Sequence, residues 1–417
     1  MKRILLLEIS HTGHHPGYAR HILESGIPED AQIFVAGTQE LLSHQELSAV
    51  RSRITPIILQ FSAEEQKRLA DFSFIGLMRR EFTIRGIYAR AWQQACSAGA
   101  IDMVIIPFLD NCAQAFAIAG APFAATPWIA ITMRTQIHFA SMGVIAPPPS
   151  LVGVRRWLFQ RLLKQKNLKE LLTIDATLAE FATQQSAAGY TKVSYLPDPS
   201  ELYPLVPKQE ARQQLNLPQN CQLILAYGAL SERKGIFRLM QAMADPECPS
   251  SVHVLLAGGQ DRGVREFLNG PIASSLQSAG RLHLLPGYVP ESLVPTLISA
   301  SDAMWIGYIH FYMMSGVLVL AARHGLPAIT SQEGVIGYLV KKYGIGVGVD
   351  SKENHTVLNA LQQVASGSVD LSFTVERARN FFAGNSWEEF GHRIRMAATA
   401  AMGGTTASTQ AIKTIAQ

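Results

Sequence analysis

The chain has 417 residues, which is more than one ordinary hydrophobic core accommodates and suits two α/β domains of similar size. Hydrophobic residues make up 48% of the chain and charged residues 16%, so a disordered protein is excluded. The formal net charge of +4 is small and the Lys and Arg residues are dispersed, which argues against a nucleic-acid-binding protein.

The cysteines and the N-terminal segment indicate a reducing, cytoplasmic setting. The cysteines form no C-x-x-C pair, so we expect neither a zinc knuckle nor a disulfide framework. Glu8 interrupts the first apolar run too early for a signal peptide, and no stretch has the length of a transmembrane helix. The four cysteines are Cys96, Cys112, Cys221 and Cys248.

Short apolar runs in the first half alternate with amphipathic or small-residue segments. This alternation predicts a parallel β-sheet that is covered by helices on both faces. The predicted strands are Ile4–Leu7, Ile33–Ala36, Pro56–Leu59, Met103–Phe108 and Trp128–Thr132.

A proline-rich segment, 196–206, separates this half from a second series of the same kind. Proline stiffens a segment and ends helices, so we expect a hinge there. The predicted fold is two Rossmann-like, doubly wound α/β domains that face a cleft, with domains at 1–195 and 207–400 and a flexible tail at 401–417. The strands predicted in the second half are Leu223–Tyr227, Val252–Ala257, Leu282–Leu285, Ala303–Ile306, Ala328–Thr330 and Ile345–Val349.

The first candidate ligand-binding turn is "HTGHHPGY", which follows the first strand. Ligands of doubly wound sheets bind beyond the carboxyl ends of the strands. Gly13 and Gly17 allow a ligand to approach the backbone closely, and the helix that begins nearby points amide groups at an anion. The histidines have no acidic or cysteine partner in the sequence beside them, so we expect no metal site.

The second candidate turn is "YGALSERKG", after the first strand of the second half. Gly228 permits a sharp turn, and Ser231 or Glu232 begins a helix. Arg233 and Lys234 then lie at the helix N-terminus, where two cations suit a diphosphate. A solvated basic first turn explains the same residues equally well.

The third candidate is the junction between two apolar stretches at Ser315-Gly316. Ser315 is predicted to be an N-cap, and Gly316 leaves amide groups free for phosphate oxygens. An ordinary buried helix accounts for Val317–Ala322 but not for the aromatic cluster before it, which comprises Tyr308, His310, Phe311 and Tyr312.

Read in order, segments of the second half resemble the retaining GT-B glycosyltransferases of family four. They are "LILAYGALSERKG", "HVLLAGG", "LHLLPGYVPESLVPTLISASDAMWIG", "GLPAITSQEGVIGYLV" and "NSWEEF". The resemblance covers about residues 196–395 and implies transfer of a sugar from a nucleotide sugar to an unknown acceptor, in bacterial glycan assembly. It also implies catalysis without a metal or another cofactor, because cations and helix dipoles neutralise the leaving diphosphate.

The resemblance further implies where the donor binds. Lys234 and Arg233 hold the diphosphate, and the loop at Tyr288 borders the base. Gly13 faces the phosphates from across the cleft. The implied donor-binding residues are Gly13, Gly228, Arg233, Lys234, Tyr288, Val289, Ser315, Gly316 and Val317.

Three positions depart from the family pattern. The Glu-x7-Glu pair falls at Tyr312 and Leu320, and Ala229 replaces an expected arginine. A leucine cannot bind the ribose hydroxyls, as the second glutamate does. These departures favour an alternative function, a scaffold or binding protein that has lost turnover, and a sugar-nucleotide epimerase of the same fold is a third hypothesis.

The first half supplies candidates for the chemistry. We predict that His14 and Asp110 transfer protons or orient the acceptor, and that His15 lies on the acceptor side. Arg134 meets an anionic acceptor or pairs with a carboxylate. Purely structural roles explain all four residues equally well.

A basic segment at 154–169 carries Arg and Lys residues among apolar ones, from Arg155 to Lys169. It is interpreted as one helix, packed on the core with a solvated basic face. The alternative is a peripheral contact with the inner face of an anionic membrane, which would bring the enzyme to a lipid-linked acceptor.

Overall fold

The computed structural model describes residues 1–187, 189–367 and 378–403. The chain divides into two compact units. The first comprises Met1–His138, Pro148–Pro197 and the segment from Trp387 onward, and the second comprises Phe139–Pro147 and Asp198–Ser386.

Each unit contains one parallel β-sheet. The first sheet has the order β3-β2-β1-β4-β5-β6-β7 and the second the order β10-β9-β8-β11-β12-β13. The strands are β1 (Arg3–Leu7), β2 (Gln32–Gly37), β3 (Ile54–Ile58), β4 (Met103–Ile106), β5 (Trp128–Thr132), β6 (Leu168–Thr173), β7 (Val193–Tyr195), β8 (Gln222–Tyr227), β9 (Val252–Gly258), β10 (Leu282–Pro286), β11 (Ala303–Ile306), β12 (Ala328–Ser331) and β13 (Gly346–Val349).

Helices connect most of these strands. They are α1 (His15–Ser25), α2 (Gln39–Leu42), α3 (Ala63–Leu69), α4 (Phe74–Ser97), α5 (Ala113–Ala119), α6 (Phe139–Met142), α7 (Val152–Leu163), α8 (Ala176–Thr183), α9 (Lys208–Gln214), α10 (Ile236–Met243), α11 (Arg262–Leu268), α12 (Pro271–Ser278), α13 (Val294–Ala300), α14 (Gly316–Arg323), α15 (Gly334–Tyr343), α16 (Asn354–Ser366) and α17 (Trp387–Ala401). Among the helices that the structure describes, none combines the length and the apolar character that a bilayer crossing requires.

The strand orders confirm the predicted fold class of two Rossmann-like, doubly wound α/β domains. The central strands β1 and β8 each begin a series that runs outward to one side and then crosses over to the other, to β4 and β11. Leu5 on β1 pairs with Phe34 on one side and with Val104 on the other. All six strands predicted in the second half are present, and so are the five predicted in the first half.

The basic segment 154–169 is not one helix, contrary to the prediction. Helix α7 ends at Leu163, and strand β6 begins at Leu168. The end of the basic run therefore belongs to the sheet, in a strand that lies between β5 and β7. Leu168 is buried whereas the next residue, Lys169, is exposed, as expected for successive side chains on opposite faces of a strand.

Helix α17 packs on the first unit, although the sequence assigned residues 207–400 to the second domain. The indole of Trp387 stacks on the ring of His21 with centroids 3.5 Å apart, and its edge meets Tyr18 at 5.9 Å. Phe390, one helical turn later, is fully buried and also meets Tyr18. The end of the predicted tail, 404–417, lies outside the described residues.

Two further segments pack on the second unit. The carbonyl oxygen of Ile145, from the segment Phe139–Pro147, accepts a hydrogen bond from the Gly334 amide at 2.7 Å. In the proline-rich segment, the Tyr203 amide donates to Nε2 of His324 at 2.9 Å, and the Val206 amide donates to the Ser299 hydroxyl at 3.1 Å. The end of the proline-rich segment is therefore fixed to this unit.

Candidate active site

Most candidate residues of the second unit lie in the loops after β8 and β11, the two strands at which the strand order reverses, whereas Tyr288 and Val289 follow β10. Ligands of doubly wound sheets bind at this position. Lys234 belongs to the loop after β8, and its carbonyl oxygen accepts a hydrogen bond from Nε1 of Trp305 on β11 at 2.8 Å. The Ile309 amide, after β11, donates to the carbonyl oxygen of Arg233 at 2.8 Å. The two loops are thereby tied together.

Arg233 and Lys234 lie in a short 3-10 turn, Glu232–Lys234, and not in the helix that was predicted to begin at Ser231 or Glu232. Helix α10 begins only at Ile236, after Gly235. Gly235 has a φ of +70°, and a Cβ atom there would lie 2.1 Å from the carbonyl oxygen of Gly307. Only glycine permits both the left-handed conformation and this close approach.

Lys234 is a buried cation. Its side chain is only 8% exposed, and Nζ donates to the carbonyl oxygen of Tyr227 at 2.5 Å. Burial lowers the pKa of Lys234 to about 8, and the positive charge of Arg233 contributes in the same direction. Among the residues that the structure describes, no carboxylate forms an ion pair with it. A buried ammonium without a counterion favours an anionic ligand.

The aromatic cluster after β11 connects these cations to Ser315. The guanidinium of Arg233 lies 4.7 Å from the ring centre of Phe311 and 5.8 Å from that of Tyr308. Nζ of Lys234 is 5.7 Å from the Tyr308 ring. The Ser315 hydroxyl donates to the Tyr308 hydroxyl at 3.4 Å. The sequence drew attention to these aromatic residues but did not assign them this role.

Helix α14 begins at Gly316 with Ser315 as its N-cap, which confirms the predicted helix start. The Ser315 side chain does not cap the helix, because its hydroxyl is directed to Tyr308. The amides of Gly316 and Val317 belong to the first turn, which has no intrahelical acceptors. A Cβ atom on Gly316 would meet only a carboxylate oxygen of Asp198, at 3.9 Å.

Asp198 is a residue of this site that sequence reasoning missed. It is 7% exposed, and its carboxylate lies near the N-terminus of α14. Its backbone oxygen accepts a hydrogen bond from the Asn385 side chain at 2.8 Å. The only sequence signal was an aspartate among prolines, which was interpreted as part of a hinge.

The remaining second-unit candidates differ in exposure. Tyr288 is 89% exposed. It lies close to Tyr227, whose pKa is raised by burial and, to a smaller extent, by the Tyr288 hydroxyl. Val289 is buried. Leu320, which replaces the second glutamate, is only 7% exposed and belongs to the core face of α14.

In the first unit, a buried carboxylate lies beside the histidine turn. Glu8 is 1% exposed, and its Oε2 lies 3.1 Å from Nδ1 of His15. Its Oε1 accepts a hydrogen bond from the Ser10 amide at 2.8 Å. The His15 ring also packs against Phe108, with centroids 3.7 Å apart. Glu8 therefore orients His15, and the sequence had indicated only that Glu8 ends an apolar run.

His14 lies next to this pair, its ring stacked on that of His15 with centroids 5.6 Å apart. Desolvation by surrounding protein atoms lowers the pKa of His14, and the charges of His15 and Arg134 lower it further. Gly13 has a φ of +63°, a left-handed conformation that favours glycine, although a Cβ atom there would meet nothing within 4 Å. Gly17 lies inside α1 and does not form part of the turn, contrary to the prediction.

Asp110 ties the end of β4 to the end of β5. Its carboxylate accepts hydrogen bonds from the amides of Met133 and Arg134 at 2.8 and 3.0 Å, and from the Thr132 hydroxyl at 2.8 Å. The guanidinium of Arg134 is exposed and has no ion pair with a described residue. The structure thus brings together His14, His15, Asp110 and Arg134 at the carboxyl edge of one sheet.

Metal-binding side chains do not cluster in the described part of the chain. No group of three or more His, Cys, Asp or Glu residues there has an arrangement that could hold a metal ion.

The second unit matches a known family. Residues 207–381 match the family model of the glycosyl transferases group 1. No curated protein sequence matches the chain.

Solved structures of glycosyltransferases share the whole fold. Sucrose-phosphate synthase from Thermosynechococcus elongatus superposes with a TM-score of 0.67 at 16% identity, covering 97% of this chain and 100% of that chain. Anabaena HepE in complex with UDP gives 0.63 at 16% identity, with 96% and 100% covered. WaaG, a glycosyltransferase involved in lipopolysaccharide biosynthesis, gives 0.59 at 15% identity, with 96% and 100% covered. These likenesses establish a GT-B fold.

Proposed function

We propose that this chain, whose residues 207–381 form a glycosyl transferases group 1 domain, transfers a sugar from a nucleotide sugar to an acceptor without a metal ion. The GT-B fold and the group 1 domain support glycosyl transfer in general, and the nucleotide-sugar donor, the acceptor and the absence of a metal requirement are the parts that we propose. The observation that carries the proposal is the buried ammonium of Lys234, which has no carboxylate partner among the described residues.

The surroundings of Lys234 support a diphosphate as the missing counterion. Arg233 lies next to it, and Tyr308 connects both cations to Ser315 at the start of α14. A helix N-terminus with free amides attracts phosphate oxygens, and glycine at position 316 lets them approach. We therefore assign the phosphates to Lys234, Arg233, Gly316 and the amide of Val317, while Gly228 keeps the space beside Nζ open.

Cations and amide dipoles also neutralise the charge of the leaving diphosphate, as a metal ion does in other sugar transferases. Departure of the nucleoside diphosphate builds negative charge on its terminal phosphate. Preorganised positive groups lower the energy of that transition state without reorganisation. The UDP and UDP-glucose complexes of HepE provide a precedent for the donor class in a protein of this fold.

The base and the ribose need other contacts. We propose that the loop at Tyr288 and Val289 borders the base, where the exposed Tyr288 ring offers a surface for stacking. Leu320 is apolar and buried, so it does not bind ribose hydroxyls. Other groups of the second unit must hold the ribose.

For the first unit, we propose that His14 and Asp110 handle the acceptor hydroxyl and that His15 and Arg134 contact the acceptor. The lowered pKa of His14 leaves its imidazole neutral at pH 7 and able to accept a proton. Glu8 holds the neighbouring His15 in place. Besides this role, the carboxylate of Asp110 fixes the backbone at Arg134, because it accepts hydrogen bonds from the amides of Met133 and Arg134.

Release of nucleoside diphosphate from a panel of sugar nucleotides tests this function. We expect slow hydrolysis of one donor without an acceptor and faster release with the right acceptor. We expect Lys234→Met to abolish both, while Lys341→Met, which removes an exposed lysine of the same unit, has no effect. The proposal is contradicted if no sugar nucleotide is consumed, or if Lys234→Met remains fully active.

A further inference from the structure

A cavity of about 180 Å³ lies in the first unit beside Asp110 and Arg134. Helix α4, the loop after β5 and helix α7 form its walls. Its volume is several times the ~30 Å³ that one water molecule occupies in the liquid, so a small polar group fits. The lining is amphipathic, because Leu158, Phe159 and Leu162 of α7 lie opposite charged side chains.

The two carboxylates of this cavity are already satisfied by backbone amides. Oε2 of Glu81 accepts hydrogen bonds from the amides of Gln114 and Ala115, at 2.7 and 3.1 Å, in the first turn of α5. Burial raises the pKa of Glu81, while these two amides and the charge of Arg155 act in the opposite direction. Asp110 accepts the three hydrogen bonds described above. Within the described residues, neither carboxylate forms an ion pair with the guanidinium groups that line the cavity.

Those cations are the guanidinium groups of Arg134 and Arg155. Neither forms an ion pair within the described residues, and Arg155 uses only its Nε, which donates to the Ser150 carbonyl oxygen at 3.0 Å. Arg80 is close enough that the charge of Arg134 helps to lower its pKa, after the larger effect of burial. Two guanidinium groups that line one cavity suit a phosphate, which they can bind through paired N–H donors.

Large apolar side chains are exposed beside this charged cavity. At the start of α7, Leu151 is 63% exposed, Val154 51% and Trp157 54%, and all three lie close to Arg155 in the sequence. On α4, Phe74 is 75% and Leu77 46% exposed. These two residues precede Glu81 by seven and four positions, so they share its helix face. Exposed apolar groups of this size mark a surface that contacts lipid or another apolar partner.

The charge around these apolar side chains favours lipid. The segment 151–169 contains six Lys and Arg residues and no Asp or Glu. An aromatic and aliphatic surface with cations beside it is typical of proteins that lie on an anionic membrane. A protein partner would explain the exposed apolar side chains, but it would not need a cavity lined by guanidinium groups next to them.

We propose that this cavity binds the phosphate of a lipid-linked acceptor, while the exposed apolar side chains at the starts of α4 and α7 contact its hydrocarbon chain and the surrounding lipid. The inference rests on the proposed function, because it names the acceptor class. Arg134 and Arg155 bind the phosphate, and Trp157 and Leu77 contact the lipid.

Vesicle flotation tests this assignment. The probes are phosphatidylcholine vesicles alone, with a polyprenyl phosphate, and with the same amount of phosphatidylglycerol. We expect about tenfold stronger binding to the polyprenyl phosphate vesicles than to the phosphatidylglycerol vesicles. Arg155→Gln and Arg134→Gln should remove this preference. Lys164→Gln, which deletes one exposed charge of the same segment outside the cavity, should keep it.

Apolar variants test the lipid contact separately. Trp157→Ser should weaken binding to every vesicle that the wild type binds, whereas Leu202→Ser, which removes a residue of the second unit that is 61% exposed, should not. Equal binding to both anionic vesicles, or equal losses in Arg155→Gln and Lys164→Gln, would overturn the phosphate cavity. No vesicle binding at all would overturn the whole inference. Nucleotide binding to the second unit is measured without vesicles. A failure of the proposed function can therefore be distinguished from a failure of the lipid inference.

Discussion

Nζ of Lys234 donates to the carbonyl oxygen of Tyr227 at 2.5 Å, so the ammonium lies at the carboxyl end of β8 and against Gly228. A Cβ atom on Gly228 would lie only 3.0 Å from this nitrogen. One carbonyl oxygen compensates a buried positive charge only in part. The site is therefore preorganised for an anion, and the consequences can be measured.

The first consequence is a pH dependence of nucleotide binding. The pKa of Lys234 in the free protein is lowered to about 8, so about half of the ammonium groups have lost their proton at that pH and most of them above it. If a diphosphate requires the charged form, its affinity falls as the pH rises through about 8, by up to about tenfold per pH unit. Calorimetric titration with UDP between pH 7 and 9.5 measures this. An affinity that stays constant over this range would contradict the role of Lys234.

The second prediction concerns Gly316. A methyl group there has room in the free protein, since the nearest atom is the Asp198 carboxylate oxygen at 3.9 Å. Gly316→Ala should therefore keep its melting temperature and bind UDP about tenfold more weakly, because the methyl group occupies the phosphate position. Gly153→Ala, in the first turn of α7 with equally open space, is the control and should bind UDP normally. Unchanged UDP affinity in Gly316→Ala would place the phosphates elsewhere.

The third prediction separates backbone conformation from packing. Gly235 and Gly280 have nearly equal φ angles of +70° and +69°. At Gly280 a Cβ atom would meet nothing within 4 Å. At Gly235 it would lie 2.1 Å from the carbonyl oxygen of Gly307. Gly280→Ala should cost about 1–2 kcal/mol of unfolding free energy, and Gly235→Ala clearly more. Urea unfolding compares them, and equal losses would show that the loop after β8 is free to move.

The fourth prediction is a loss of stability in acid that depends on His21. Burial, together with the charge of Arg20, lowers the pKa of His21 in the folded state to about 4, below the ordinary histidine pKa of about 6.5. Between these two pH values the unfolded chain binds more protons, so stability falls as the pH falls. The variant His21→Phe should keep the stacking on Trp387. Between pH 7 and pH 5 its free energy of unfolding should fall by about 1–2 kcal/mol less than that of the wild type. Urea unfolding at both pH values measures this loss, and an equal loss in the wild type and the variant would contradict the prediction.

The sequence predicted the sheets well because central strands such as β4, β5, β11 and β12 are buried along their whole length and appear as uninterrupted apolar runs. Strand β6 was missed because its charged residues Lys169 and Glu170 interrupt the apolar run, and Lys169 also ends the basic segment. The packing of α17 on the first unit could not be predicted, because it depends on the stacking of Trp387 on His21, which lies near the other end of the sequence. Stacking over that distance leaves no periodic signal in the sequence.

The site was predicted in part for similar physical reasons. Turn residues such as Gly228 and the N-cap Ser315 have local signatures. The contact of Glu8 with His15 and the position of Tyr308 between Arg233 and Ser315 depend on how loops from different strands meet. Patterns along the chain do not contain this information.

Calorimetric titration of UDP, GDP and ADP into the wild type and Lys234→Met at pH 7 tests the central claim most directly. We expect one of the three nucleotides to bind the wild type without added divalent metal, and its affinity to fall at least tenfold in Lys234→Met while Lys341→Met binds normally. Binding of the same strength to wild type and Lys234→Met would contradict the claim that this buried ammonium holds the diphosphate, and so would the absence of binding by all three.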